Sequence, residues 1–176
     1  YAQRTEVVDV VSGEICADLT DFPRVNWGTV GAYLDGTLVV CGYRKCFTFI
    51  EGYWYEFANF NRWRRYAAGV MFKNKFHVFG GLDEYSYDGS DFRLQTSEII
   101  SINGGVEHGP ELPEGVYRHA ITSINSTASL LSGGWTNTIS SSSLTWYFNH
   151  ETNEIFWPVH YFLNELRLVP LLFENS

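Results

Sequence analysis

A pair of small residues closes a short apolar run three times in this chain, as VVCG at Val39 to Gly42, VFGG at Val78 to Gly81 and LSGG at Leu131 to Gly134. An arginine stands at one fixed distance ahead of the second and third pairs. Arg65 precedes Gly80 and Arg118 precedes Gly133, and each is followed by a ring residue and an alanine. The same step back from Cys41 reaches Asn26, so the first copy keeps a ring and a small residue, Trp27 and Gly28, without the arginine. The pairs recur after 39 residues (42 to 81) and 53 residues (81 to 134). A period of this order predicts stacked or radially arranged units instead of one ordinary core.

Each copy reads as four strands. Apolar runs at 66 to 72 and 76 to 79 flank Lys73-Asn74-Lys75, a hairpin signal. The first copy has 27 to 34 and 37 to 41 around Asp35-Gly36, a favoured two-residue turn, and the third has 119 to 124 and 128 to 131. After each small pair comes a connection of variable length, then a third strand at 46 to 49, 98 to 102 or 144 to 148. A fourth is expected at 53 to 57, 106 to 108 and 154 to 157. With 11 Tyr, 13 Phe and 6 Trp against 1 Met and 18% charged residues, composition favours pleated, half-buried surfaces over helices. The expected fold is therefore all-β, a partial β-propeller of four-stranded antiparallel blades, an arrangement that hides most sheet edges.

The glycine pair after an apolar strand, the aromatic run Trp146-Tyr147-Phe148, Trp54 and Trp157 ahead of the next copy, and the Arg-ring-Ala start together resemble kelch repeats. The likeness covers nearly the whole chain. Cys41 in place of the first glycine, and the lack of a tryptophan near Glu107, depart from it. GPELPEGVYRHA and EICADLTDFP look like the inter-blade stretches of invertebrate multi-repeat kelch proteins. The expected division is residues 1–26 as the last two strands of a preceding blade plus a linker, blades at 27–65, 66–117 and 118–166, and a truncated or degenerate repeat at 167–176. Three full blades do not close a ring of 4 to 8. The rest of a longer chain, or self-association, is then expected to cover the blade edges.

In such propellers one face recognises partners, so the resemblance implies a protein-interaction module. Loops beside the strand ends carry the candidates: Tyr43, Arg44 and Lys45; Arg62, Trp63, Arg64 and Arg65; Tyr117 and Arg118; and Trp135. Three arginines around Trp63 in a chain of net charge −8 suit an acidic peptide, and arginine and tryptophan are frequent interface anchors. The solvated-turn reading of that segment weighs about the same. Arg65 and Arg118 could equally brace neighbouring carbonyls. Trp54, Trp146 and Trp157 are assigned to core, and His119, at the ring position shared with Trp27 and Tyr66, reads as structural and not as a ligand.

Scattered Lys and Arg at that charge argue against nucleic acid. No apolar stretch approaches the length of a membrane span. No cofactor or catalytic residue is implied. Asp83, Glu84, Asp88 and Asp91 lack calcium-loop spacing, the five His form no zinc-ligand pair, and a mobile acidic loop is the plainer reading. Ser140 to Ser143 lack nucleophile-elbow context, and Ser86-Tyr87-Asp88-Gly89 only approaches an aspartate box. Cys41 and Cys46 could bridge across their short connection, Cys16 could pair with either, or all three could stay reduced. Asn125-Ser126-Thr127 is an N-glycosylation sequon at a hairpin tip, which with the cysteines leans toward an extracellular setting over a cytoplasmic one. The readings from other classes are a propeller-based carbohydrate oxidase or epimerase and the substrate-recruiting part of a ubiquitin ligase adaptor.

Overall fold

Turn chemistry sets the strand lengths. Asp35 and Gly36 both take positive φ (46° and 82°), as do Glu51 with Gly52 (49° and 89°) and Lys73 with Asn74 (44° and 56°). Paired left-handed residues make the tight turn whose twist matches that of antiparallel strands. The computed structural model describes residues 4–23, 27–83, 92–136 and 145–156. Every regular element among them is a β-strand, and all pairings are antiparallel. No helix of the described residues is long and apolar enough to cross a membrane.

A hairpin of β1 (Thr5–Val8) and β2 (Ile15–Leu19) comes first. The first sheet has the order β3 (Val30–Leu34), β4 (Thr37–Ile50), β5 (Tyr53–Arg64). The second is built from β6 (Ala68–Phe72), β7 (Lys75–Phe79), β10 (Ser97–Ser101) and β11 (Val106–His108), adjacent in that order. The two-residue strands β8 (Leu82–Asp83) and β9 (Phe92–Arg93) pair beside it. The third repeats the plan with β13 (Ala120–Ser123), β14 (Ala128–Ser132), β16 (Thr145–Asn149) and β17 (Glu154–Phe156), and short β12 (Val116–Tyr117) pairs with β15 (Trp135–Thr136).

Although β4 is continuous, it is not straight. Five residues of extended strand span roughly 16 Å, yet the Cα atoms of Cys41 and Cys46 lie 4.0 Å apart, joined by a disulfide. The chain therefore doubles back between them, and Tyr43 takes a left-handed φ of 58° in the bend. Cys16 is free and exposed.

The sheets stack face to face. Leu34, Val39, Cys41, Cys46, Ala58 and Phe60 of the first sheet bury against Phe76, Val78 and Ile100 of the second. Phe79 of the second meets Leu131, Trp146 and Phe148 of the third, with Leu112 and Val116 from the connection. β7 thus sits inside the stack, and its Phe76, His77, Val78 and Phe79 are all buried. The register repeats as well: Val30 faces Cys41, Ala68 faces Phe79 and Ala120 faces Ser132.

That register moves the small pairs. Cys41 occupies the place of Phe79, so the first pair is Gly42-Tyr43, not Cys41-Gly42, and Tyr43 stands where Gly81 and Gly134 stand. All three carry positive φ, at 58°, 104° and 92°. The glycines admit a crossing backbone. A Cβ on Gly80 would lie 2.4 Å from the Val116 carbonyl oxygen, and one on Gly134 would lie 2.8 Å from that of Tyr117. Of the residues expected to matter, Asn26, Glu84 to Asp91, Ser140 to Ser143, Trp157, His160 and the repeat start at 167–176 lie outside the described residues.

Candidate functional site

Two residues before the first strand of each sheet, β3, β6 and β13, the backbone turns left-handed, at Gly28, Tyr66 and Arg118 (φ 61°, 53° and 56°). The three are tied in series: Tyr66 N–H donates to the Gly28 carbonyl (3.0 Å), and Arg118 N–H donates to the Tyr66 carbonyl (2.9 Å). Successive copies are thereby joined at the starts of their first strands. The spacing of Arg65 and Arg118 from their glycine pairs equates these two residues, whereas the backbone equates Tyr66 with Arg118. The β13–β14 hairpin is one residue longer, from 120 to 132 against 68 to 79, and that absorbs the difference.

A continuous band of rings and guanidinium groups lies across this end. Trp63 meets Tyr43 edge to face at 5.8 Å. Arg65 lies over three rings, with its Cζ 5.7 Å from Tyr43, 5.3 Å from Trp27 and 5.3 Å from Tyr66. Arg118 covers Tyr66 at 4.6 Å and Tyr117 at 5.8 Å, while Arg93 approaches Tyr117 from elsewhere at 5.5 Å. Tyr117 in turn leans on Trp135 at 6.1 Å. Trp27 and Trp135 remain 43% and 41% exposed, large apolar surfaces left open to solvent. Arg118 is exposed and forms no ion pair among the described residues. At Arg118, which is exposed, cation–π contact of this kind leaves the N–H edge of the guanidinium open to solvent.

Six of the residues expected from sequence meet in this band: Tyr43, Trp63, Arg65, Tyr117, Arg118 and Trp135. Four do not. Arg44 donates from Nε to the Phe60 carbonyl at 2.9 Å, Lys45 pairs with Glu56, and Arg62 pairs with Asp83 at 3.0 Å. Arg64 requires a correction. The segment from Asn61 to Arg64 is the end of β5 and not a loop, and the Arg64 side chain is wholly buried against Glu98 with Nε to Oε1 at 2.9 Å. Its Nη1 donates to the carbonyls of Gly80 and Thr96, both at 2.7 Å, and Nη2 donates to the Thr96 hydroxyl at 2.8 Å. Arg64 is a brace and presents no charge to a ligand. Arg65 is also largely buried, at 8% exposure, and contributes from beneath the rings.

Sequence reasoning missed Trp27, Tyr66 and Arg93. Neither ring was singled out as a site residue: the position they share with His119 was read as structural, and a ring-and-strand pattern does not mark the left-handed residues at Gly28 and Tyr66. Arg93 has no counterpart in the other copies, so no repeat signal marks it.

His119 lies under the band, buried, with both ring nitrogens lacking a hydrogen-bond partner, and burial pushes its pKa down to about 4. The opposite strand ends hold a cleft of about 490 Å³ lined by Phe72, Lys73, Lys75, His77, His108 and His150, among others. His150 stacks on Phe72 at 4.2 Å, and its Nε2 is 2.7 Å from the Ser129 hydroxyl. Burial lowers His77 and His150 to about 4 as well, helped at His77 by the charges of His150 and Lys75. Among the described residues no cluster of three or more His, Cys, Asp or Glu is placed to hold a metal ion.

No family model and no curated protein matches this chain. Among solved structures it is similar to one described as "Structure of YjhT", with a TM-score of 0.69 at 13% identity, over 78% of this chain and 52% of that one. At such identity the likeness shows the fold alone. The chain matches about half the length of that protein.

Proposed function

We propose that the chain is a segment of a kelch-type β-propeller that binds a partner protein or peptide bearing acidic side chains, through the band centred on Tyr66 and Arg118. The observation that carries this reading is the convergence of Arg65, Arg93 and Arg118 with five rings, Trp27, Tyr43, Tyr66, Tyr117 and Trp135, drawn from separate copies onto one strand end. Supporting the propeller are the face-to-face antiparallel sheets, the repeated register and the glycine pairs at the strand ends. Exposed tryptophan and arginine supply most of the energy of interfaces that have them, and a guanidinium grips a carboxylate through two N–H bonds.

Selection of random displayed peptides on the immobilised protein tests it. Enrichment of Asp and Glu, with binding weakened at least about tenfold by Arg118→Glu at unchanged melting temperature, is the expected result, since a hydrogen bond to a charged group contributes about 1.5–3 kcal/mol. Selected peptides without acidic bias, or binding indifferent to Arg118→Glu and Trp135→Ala, would remove the band from the site.

A further inference from the structure

We propose that Asn125 is a site of N-linked glycosylation and that the protein matures in an oxidising secretory compartment, an inference that stands apart from the identity of any partner. Two unrelated observations converge on it. The first is the tip of the β13–β14 hairpin, which carries the only Asn-X-Ser/Thr sequence in the chain. Asn125 and Ser126 are exposed there. The Asn125 Oδ1 accepts from the Thr127 backbone N–H at 2.8 Å and from the Thr127 hydroxyl at 3.1 Å, so the sequon's two functional side chains are already in contact. Asn125 Nδ2 makes no hydrogen bond among the described residues. The tip is anchored from below, where His150 N–H donates to the Thr127 carbonyl at 2.8 Å.

The second observation is the disulfide between Cys41 and Cys46, both fully buried in the core between the first two sheets. Such bonds persist where the surroundings are oxidising, in the same compartments that glycosylate asparagine. Neither feature depends on the other: one is a surface hairpin of the third sheet, and one is an interior bond of the first.

The chemistry is a group transfer. Asn125 Nδ2 bonds to the anomeric carbon of an oligosaccharide carried on a lipid pyrophosphate. The carbon–oxygen bond to the pyrophosphate breaks, the lipid pyrophosphate departs, and one Nδ2 proton passes to base. Position favours occupancy without loss of binding. β13, four residues and roughly 13 Å of extended chain, separates Asn125 from Arg118, so the glycan projects from the end of that strand opposite the arginine and aromatic band.

The test expresses the full reading frame that contains these residues in animal cells and weighs the purified protein before and after peptide-N-glycosidase. The expected result is a loss of glycan mass, absent in Asn125→Gln and retained in Thr127→Ser, with Cys41 and Cys46 protected from alkylation in urea until reductant is added. An unshifted wild-type mass, a shift that survives Asn125→Gln, or alkylation of both cysteines without reductant would overturn the proposal. Because the tip is exposed, Asn125→Gln is expected to leave the melting temperature unchanged, so loss of the glycan is read separately from loss of fold.

Discussion

Arg64 and Glu98 form an ion pair with both side chains at 0% exposure, and between them they join three chain segments. Glu98 Oε2 accepts from the Asn61 backbone and side-chain N–H groups at 2.8 and 3.0 Å, while Arg64 holds the Gly80 carbonyl at the first glycine of the second pair. Charges taken out of water persist only when their remaining donors and acceptors are met, and here they are. Removing one partner strands the other. Arg64→Ala or Glu98→Ala is expected to cost about 3–5 kcal/mol in urea unfolding, and the Arg64→Met, Glu98→Leu double variant well under the sum of the two. Additive losses would show that the two side chains do not depend on each other.

Gly80 and Gly36 separate two demands made of glycine. Both have positive φ, 59° and 82°, but a Cβ on Gly36 meets nothing within 4 Å, whereas one on Gly80 meets the Val116 carbonyl. Alanine at Gly36 should cost about 1–2 kcal/mol, the backbone term alone. Alanine at Gly80 should cost clearly more, because the crossing segment at Val116 must also move. Equal losses by chemical denaturation would mean that the crossing backbone yields freely.

The tight turns and the four-strand plan of the second and third copies were legible because period and turn chemistry are local properties of the chain; in the first copy the strands expected at 37 to 41 and 46 to 49 are one continuous β4, in a three-stranded sheet. Of the six expected binding residues in the band, Tyr43 and Trp135 adjoin a small pair, while Trp63, Arg65, Tyr117 and Arg118 precede the first strand of a copy, a place the repeat spacing marks. Arg64 was misread because nothing local distinguishes a buried arginine from an exposed one; its partner Glu98 lies 34 residues away in a different strand, β10. The register of the first pair slipped by one residue because Tyr43 takes a conformation that glycine signals elsewhere. Trp27 and Tyr66 were hidden by the same effect, a left-handed residue that a ring-and-strand pattern does not reveal.

The Cys41–Cys46 bridge closes a very short loop inside β4, so the chain-entropy gain is small, roughly 2 kcal/mol. Cys41→Ala with Cys46→Ala, which replaces buried sulfur with a small apolar group, should lower the unfolding free energy by about that amount, read as a lower urea midpoint at unchanged denaturant slope. No change in midpoint would show that the fold-back is held entirely by the surrounding sheet.

Acid should weaken the fold through its buried imidazoles. His77, His119 and His150 have folded pKa values of about 4, against 6.5 for the free side chain. Between those values the unfolded chain binds protons that the folded chain does not. The stability these groups contribute is therefore fully present above pH 6.5 and is lost as pH falls toward 4; at His119, buried and shifted by burial alone, the loss is up to about 1.4 kcal/mol per pH unit. Carboxylates titrate in the lower part of this window, so absolute stability against pH does not isolate the imidazoles; a difference between variants does, because the carboxylates are common to both. His119→Leu is the cleanest substitution, since neither His119 ring nitrogen has a hydrogen-bond partner to lose. Urea unfolding at several pH values between 7.5 and 5 should show the variant gaining steadily on the wild type as pH falls. A difference that stays constant across the range would mean that His119 is protonated as readily in the folded protein as in the unfolded chain, and that solvent reaches beneath the band.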